Sequence, residues 1–223
     1  MEQKDSQLNY FHCISLVYNP LVDKVPGIFR FENKNKKESF THDILRNKLS
    51  HSCTNIVLLK TCQRVELYII SDKNPEKLKK EFLNIYKNYF SDNFDEKLKI
   101  YSSKEGLIHL VRLTSGLESF INGENEIYDQ IKNLSEKYHE DGLAGDFINK
   151  TFARALEIAR EIRKIITDEN KIQSYPEISL EFTKNKGITP SKILVLGNGL
   201  LSKSVSKFWI KNGAEVKIVD SKE

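Results

Sequence analysis

Near its carboxyl end the chain runs Lys192-Ile193-Leu194-Val195-Leu196-Gly197-Asn198-Gly199-Leu200-Leu201-Ser202. The first five residues read as a buried-type strand, and Gly197 to Ser202 as a tight turn. Leu201 to Lys211 reads as a helix closed by Asn212-Gly213, and Glu215 to Val219 as a second strand ending at Asp220. Such a strand, glycine turn, helix and strand form the start of a dinucleotide-binding βαβ unit. The glycines let the backbone approach a pyrophosphate, and the helix N-terminus favours its negative charge. Gly197, Asn198, Gly199, Leu200, Leu201, Ser202 and Asp220 are the candidate contacts, with Ser202 where a third glycine would stand.

Upstream, the periodicity predicts a different arrangement. Phe11 to Tyr18 reads as a strand with Phe11, Cys13, Ser15 and Val17 on one face, stopped by Asn19-Pro20. Residues 21–40 read as a charged loop, and Thr41 to Leu49 as a short helix. Two strands follow, Asn55 to Leu59 and Val65 to Ile70, then an amphipathic helix from Pro75 to Tyr89 and a strand from Leu98 to Tyr101. The order β-α-β-β-α-β predicts an open α/β sandwich for about the first hundred residues.

Beyond it, Ser103 is a candidate cap for a helix from Lys104 to Thr114. A stretch rich in small and polar residues around Gly116 and Gly123 comes next. Helices are predicted from Ile127 to Asp141-Gly142, from Leu143 to Thr167, and after Pro176. The second of these carries a basic face of Arg154, Arg160, Arg163 and Lys164, which fits a solvated surface or an RNA. The expected layout is residues 1–142 as one α/β domain, 143–190 as connecting helices and 191–223 as part of a nucleotide-binding domain.

Composition excludes several classes. Hydrophobic residues make up 39% of 223 and fall in periodic blocks, which argues for a packed core. The net charge of +4 permits a nucleic-acid partner without demanding one. Cys13, Cys53 and Cys62 show no CxxC spacing and are odd in number, which fits a reducing cytosol better than a disulfide framework. His51, Cys53 and Cys62 lack the tight ligand pairs of a structural zinc site, and no metal is expected. No apolar run approaches the ~20 residues that span a bilayer, and no signal core precedes Tyr10, so a cytoplasmic protein is expected.

Thr61-Cys62-Gln63-Arg64-Val65-Glu66-Leu67-Tyr68 holds the most reactive combination. A turn between two strands presents a hydroxyl, a thiol and a guanidinium. A cation favours the thiolate, the nucleophilic form, and a guanidinium forks onto carboxylates. The stretch resembles the Thr-Cys-Asn-Arg-x-Glu-x-Tyr signature of the glutamyl-tRNA reductase family. His109 with Ser115-Gly116-Leu117-Glu118-Ser119, and Gly123-Glu124 through Ile127 to Gln130, resembles that family's second block. Arg160 to Thr167, with Ile178-Ser179 leading to the glycine turn, resembles a third.

The resemblance implies NADPH-dependent reduction of glutamyl-tRNA to glutamate-1-semialdehyde, an early step of tetrapyrrole synthesis, with NADH as the other candidate cofactor. It implies that Cys62 is the nucleophile that holds glutamate as a thioester, and that His109 assists. Thr61, Gln63, Arg64, Ser119, Glu124, Asn125, Glu126 and Gln130 carry over as substrate contacts, Arg64 for the side-chain carboxylate. A homodimer of the full-length protein and hand-off to an aminomutase are implied partners, beside glutamyl-tRNA itself. Gln63 stands where the family has asparagine, Glu126 where glutamine is common, and Asp220-Ser221-Lys222 where Asn-Arg-Thr is usual. The alternatives are a non-catalytic tRNA-binding or regulatory homologue and an unrelated Rossmann oxidoreductase. Since the nucleotide-binding sheet has two strands here, the expectation is a chain that forms the thioester but reduces it poorly.

Overall fold

The computed structural model describes residues 10–18, 42–49, 51, 53, 55–61, 63–89, 95–119, 121, 123–169 and 174–220. The chain divides into two compact units, Met1–Glu118 with Asn125–Arg163, and Ser119–Glu124 with Lys164–Glu223.

The first unit is built on β1 (Phe11–Val17), α1 (His42–Leu49), β2 (Asn55–Lys60), β3 (Arg64–Ile70), α2 (Pro75–Lys87), β4 (Leu98–Ser102), α3 (Lys104–Thr114), α4 (Asn125–Glu140) and, as far as Arg163, α5 (Asp146–Glu169). Its strands form a four-stranded antiparallel sheet in the order β2-β3-β1-β4. This is the expected β-α-β-β-α-β order, with β3 and β1 in the middle. The expected loop at 21–40 lies outside the described residues.

Side chains alternate along a strand, so each strand offers two faces. Ile14, Leu16, Val65, Leu67 and Ile69 face one way, and Leu45 and Leu49 of α1 pack there with Leu78 and Phe82 of α2. Phe11, Cys13, Val57, Leu59 and Tyr68 face the other way, against Leu110 and Leu113 of α3, Ile127 and Ile131 of α4, and Ile148 and Phe152 of α5. Helices thus cover both faces. Burying a Leu, Ile or Phe side chain contributes about 1.5–3 kcal/mol, so the two clusters are the main source of this unit's stability.

Local chemistry sets the element ends. Asn74 caps α2 by accepting from the Glu76 amide, with Pro75 in the first turn. Gly106 lets α3 sit close to the sheet, because a Cβ there would come within 3.2 Å of Phe11 and of the Tyr101 carbonyl. Ser103 heads α3 at φ 54° and makes no side-chain capping bond, so the expected cap is not formed. The long helix starts at Asp146 rather than Leu143. Gly142 takes φ 64° to turn the chain, and Gly145 packs against the Asn55 side chain before the helix begins.

The second unit contains α6 (Tyr175–Asn185), β5 (Lys192–Leu196), α7 (Leu200–Lys211) and β6 (Glu215–Val219). Ser174 and Glu177 form a reciprocal capping box on α6, and Pro176 lies in its first turn. β5 and β6 pair in parallel from Lys192↔Glu215 to Leu196↔Val219, joined by α7. Trp209 of α7 is buried, and its Nε1 donates to Ser179 Oγ of α6 at 2.9 Å. No described helix is long and apolar enough to cross a membrane.

Candidate active site

On β3, residues 64, 66 and 68 project to one face, so the motif Arg64-x-Glu66-x-Tyr68 is a period-two motif. On β1, Cys13, Ser15 and Val17 lie opposite Tyr68, Glu66 and Arg64. His109 reaches the same place from α3. The result is a polar cluster inside an otherwise apolar layer. Glu66 and Tyr68 are 0% exposed, and Arg64 and His109 are each 5% exposed.

A buried carboxylate is costly unless it is paired and hydrogen-bonded. Glu66 is both. Its Oε1 accepts from His109 Nε2 at 2.9 Å, from Arg64 at 3.0 Å and from Ser15 Oγ at 3.1 Å. Its Oε2 accepts from the Tyr68 hydroxyl and, at 3.8 Å, from the Cys13 thiol. Burial pushes the Glu66 carboxyl upward, but the bond and charge of His109, the Arg64 guanidinium and the Tyr68 hydroxyl outweigh it and hold the pKa at about 2. Burial and the Glu66 charge push the Tyr68 hydroxyl and the Cys13 thiol well above their ordinary values. Those two groups therefore stay protonated and donate.

Cys13, Glu66 and His109 also bring a sulfur, an oxygen and a nitrogen within 4.8 Å of one another. A cation between them would have to share Glu66 Oε1 with the guanidinium of Arg64. The positive partner of this carboxylate is already part of the chain. Of the cysteine–histidine set weighed in the sequence, His51 is exposed, and burial raises the Cys53 thiol pKa to about 12.

The turn that precedes the cluster is closed by Thr61. Its N–H donates to the Arg64 carbonyl at 2.9 Å. Its hydroxyl accepts from the Gln63 and Arg64 amides, each at 3.2 Å. Cys62, the expected nucleophile, lies outside the described residues, between Thr61 and Gln63 in the chain. Arg64 also donates to the backbone carbonyl of Glu118, and the Glu118 side chain accepts from Arg112. Tyr101 stacks on the His109 ring at 4.1 Å and 9°.

The other expected contacts are spread over both units. Asn125, Glu126 and Gln130 lie in the first turns of α4, although the Asn125 side chain lies outside the described residues. Ser119 and Glu124 group with the second unit. On α5, Arg163 lies over the Tyr128 ring at 5.5 Å, and Arg154 pairs with Glu157 at 2.7 Å. Sequence reasoning gave no role to Glu66, Tyr68, Ser15 or Cys13. The signal that could have found the first two is the alternation of Arg64, Glu66 and Tyr68 on one strand.

In the second unit, Gly197 takes φ 98°, a left-handed conformation suited to glycine, and its amide donates to the Val219 carbonyl at 2.7 Å. Gly199 caps α7 in extended conformation, and a Cβ placed there would meet nothing within 4 Å. The turn therefore offers open space in front of a helix N-terminus, which suits a pyrophosphate. Asp220 follows the carboxyl end of β6, where an acidic side chain bonds ribose hydroxyls.

The fold has known relatives. A solved structure, "Glutamyl-tRNA Reductase from Methanopyrus kandleri", superposes with a TM-score of 0.60, covering 96% of this chain and 50% of its own at 21% identity. It shares the fold. A curated glutamyl-tRNA reductase of Picrophilus torridus is 32% identical over 158 residues, 70% of this chain and 36% of that protein. The one from Methanosarcina mazei is 30% identical over 74% of this chain and 36% of its own length. The chain thus spans about a third of the length of these relatives. Residues 25–166 match the family described as "Glutamyl-tRNAGlu reductase, N-terminal domain". The chain belongs to that family.

Proposed function

We propose that the chain acts in the NADPH-dependent reduction of glutamyl-tRNA to glutamate-1-semialdehyde, through a glutamyl thioester on Cys62. The supporting observation is the convergence of Arg64 and His109 on the Glu66 carboxylate at the start of β3, two residues after Cys62. In this reading residues 1–142 carry the acyl transfer, 143–190 connect, and 191–223 contribute to the nucleotide site.

The Cys62 thiolate attacks the ester carbonyl carbon, a carbon–sulfur bond forms, and the bond to the tRNA ribose oxygen breaks. His109, with its Nε2 proton held by Glu66, gives the leaving oxygen its proton from Nδ1. Glu66 and Glu118 take two of the five Arg64 donors, and the remaining ones are assigned to the glutamate side-chain carboxylate. Glu124 and Glu126 would hold the α-ammonium, with Thr61, Gln63, Ser119, Asn125 and Gln130 lining the substrate. Gly197–Ser202 would hold a reduced nicotinamide dinucleotide, which would supply the hydride chemistry that turns the Cys62 thioester into the aldehyde. Asp220 favours a free ribose 2′-hydroxyl, so NADH stands beside NADPH as the candidate. Glutamyl-tRNA is the partner of this step. A homodimer, hand-off to an aminomutase and a cytoplasmic location belong to the proposal through the family resemblance.

The test is a single-turnover assay with glutamyl-tRNA and no nucleotide. Free tRNA should appear faster than by spontaneous hydrolysis, and Arg64→Lys should narrow the preference over glutaminyl-tRNA. Binding of tRNA without any release would replace this reading with that of a non-catalytic tRNA-binding homologue.

A further inference from the structure

Glu66 has a geometry that a merely structural carboxylate does not need. One atom, Oε1, receives Arg64 from β3 and His109 from α3, at 3.0 and 2.9 Å. The two groups belong to different elements and meet at this one atom. Ser15 from β1 donates to the same oxygen, while Tyr68 and Cys13 hold Oε2 and fix the carboxylate plane. With the carboxylate immobile, little freedom remains for its partners. A ring nitrogen that faces a carboxylate oxygen carries its proton, so His109 is held with Nε2 protonated. The Tyr101 ring, stacked at 4.1 Å, sets the plane of the imidazole. At the other end, the Glu118 carbonyl holds the second terminal nitrogen of Arg64. Any shift of Glu66 moves the guanidinium and the imidazole together.

Resting on the acyl-transfer reading above, we infer that Glu66 is a positioning residue that couples Arg64 to His109. The group that reads the substrate carboxylate and the group that protonates the leaving oxygen then act as one unit. Glu66 touches neither the substrate nor the reacting atoms. It acts by keeping two donors in register, and groups that act as a unit give non-additive losses when removed.

The experiment is a double-variant cycle in the single-turnover assay on the full chain. Arg64→Lys, His109→Asn and their combination are made in the unsubstituted chain and in Glu66→Asp. The aspartate keeps the charge but withdraws the carboxylate by about 1.5 Å, one carbon–carbon bond. In the unsubstituted chain the combined variant should be at least about tenfold faster than the product of the single losses, a coupling of ~1.4 kcal/mol. With Glu66→Asp the losses should multiply to within about threefold. Single losses that multiply equally in both backgrounds would overturn the inference while leaving acyl transfer intact. No tRNA release by the unsubstituted chain would instead defeat the acyl-transfer reading, and the coupling in catalysis with it.

A second measurement needs no variant that might misfold. The imidazole ¹⁵N spectrum of His109 in the unsubstituted chain should show a proton on Nε2, the nitrogen that faces Glu66. A neutral ring protonated at Nδ1 would contradict the geometry on which the inference stands.

Discussion

β3 and β5 both read as strands in the sequence and reach opposite environments. From Arg64 to Ile69 every β3 residue is buried, the polar ones included. On β5, Leu194 is 61% exposed and Leu196 is 75% exposed, although the strand is apolar from Ile193 to Leu196. β3 has neighbours on both edges and helices over both faces, whereas β5 pairs with β6 and meets α7. Apolar pattern makes a strand, and the elements that cover it decide its burial. The chemistry of the two units differs accordingly. The Glu66 cluster is buried, so each bond in it counts for more and each unpaired group costs more. The glycine turn after β5 is open, and it would act through backbone amides that need no burial.

The largest expected effect should separate the two units in one experiment. Glu66→Ala leaves Arg64 buried without its carboxylate, a loss of about 3–5 kcal/mol. Trp209, the single tryptophan, lies in the second unit and reports on it by fluorescence. In a urea titration the circular dichroism transition of the first unit should move to lower urea while the Trp209 transition stays. A shared shift would mean that the units unfold together.

Acid should act on the same side of the comparison. The Glu66 pKa lies below its ordinary value, so its contribution to stability is fully present above about pH 4.5 and is lost as pH falls toward about 2. That contribution is on the order of 3 kcal/mol. Between pH 4.5 and 2 the first unit should weaken more than the second, and Glu66→Gln should flatten its profile.

Tyr68→Phe removes one donor from Glu66 Oε2 and leaves the ring stacked with Phe11 and edge-on to Phe152. The expected loss is about 1.5–3 kcal/mol, the range for a hydrogen bond to a charged group, read in the same urea titration. At the small end, Leu196→Ser changes a residue already in water and should move the Trp209 transition by no more than about 0.5 kcal/mol. A loss of 2 kcal/mol or more, the scale of a core truncation, would show that Leu196 is covered in solution.

Much of the fold was legible because its signals are local. Alternation marked β1 and β3, an apolar run marked β2, and the Gly197–Ser202 turn with its flanking strands marked the parallel unit. Pro75 and Pro176 marked two helix starts. The site was legible only in part. Arg64 and His109 could be named from motif resemblance, but the reason they meet could not. Glu66 brings together residues of β1, β3 and α3, and a one-dimensional pattern does not say which strand face a helix will cover. Ser15 and Cys13 come from the first fifty residues, where no motif drew attention to them. Ser103 was misread as a cap because its residue type suits the position while its backbone, at φ 54°, does not.

The acyl-enzyme step itself can be read most directly by mass. Incubation with glutamyl-tRNA, quenching in acid and peptide mapping should add one glutamyl group to the peptide that contains Cys62, and hydroxylamine should remove it. Peptides with Cys13 or Cys53 should stay unmodified, since both thiols are buried and held protonated. A Cys62→Ser chain that acquires the same hydroxylamine-sensitive glutamate would contradict the account.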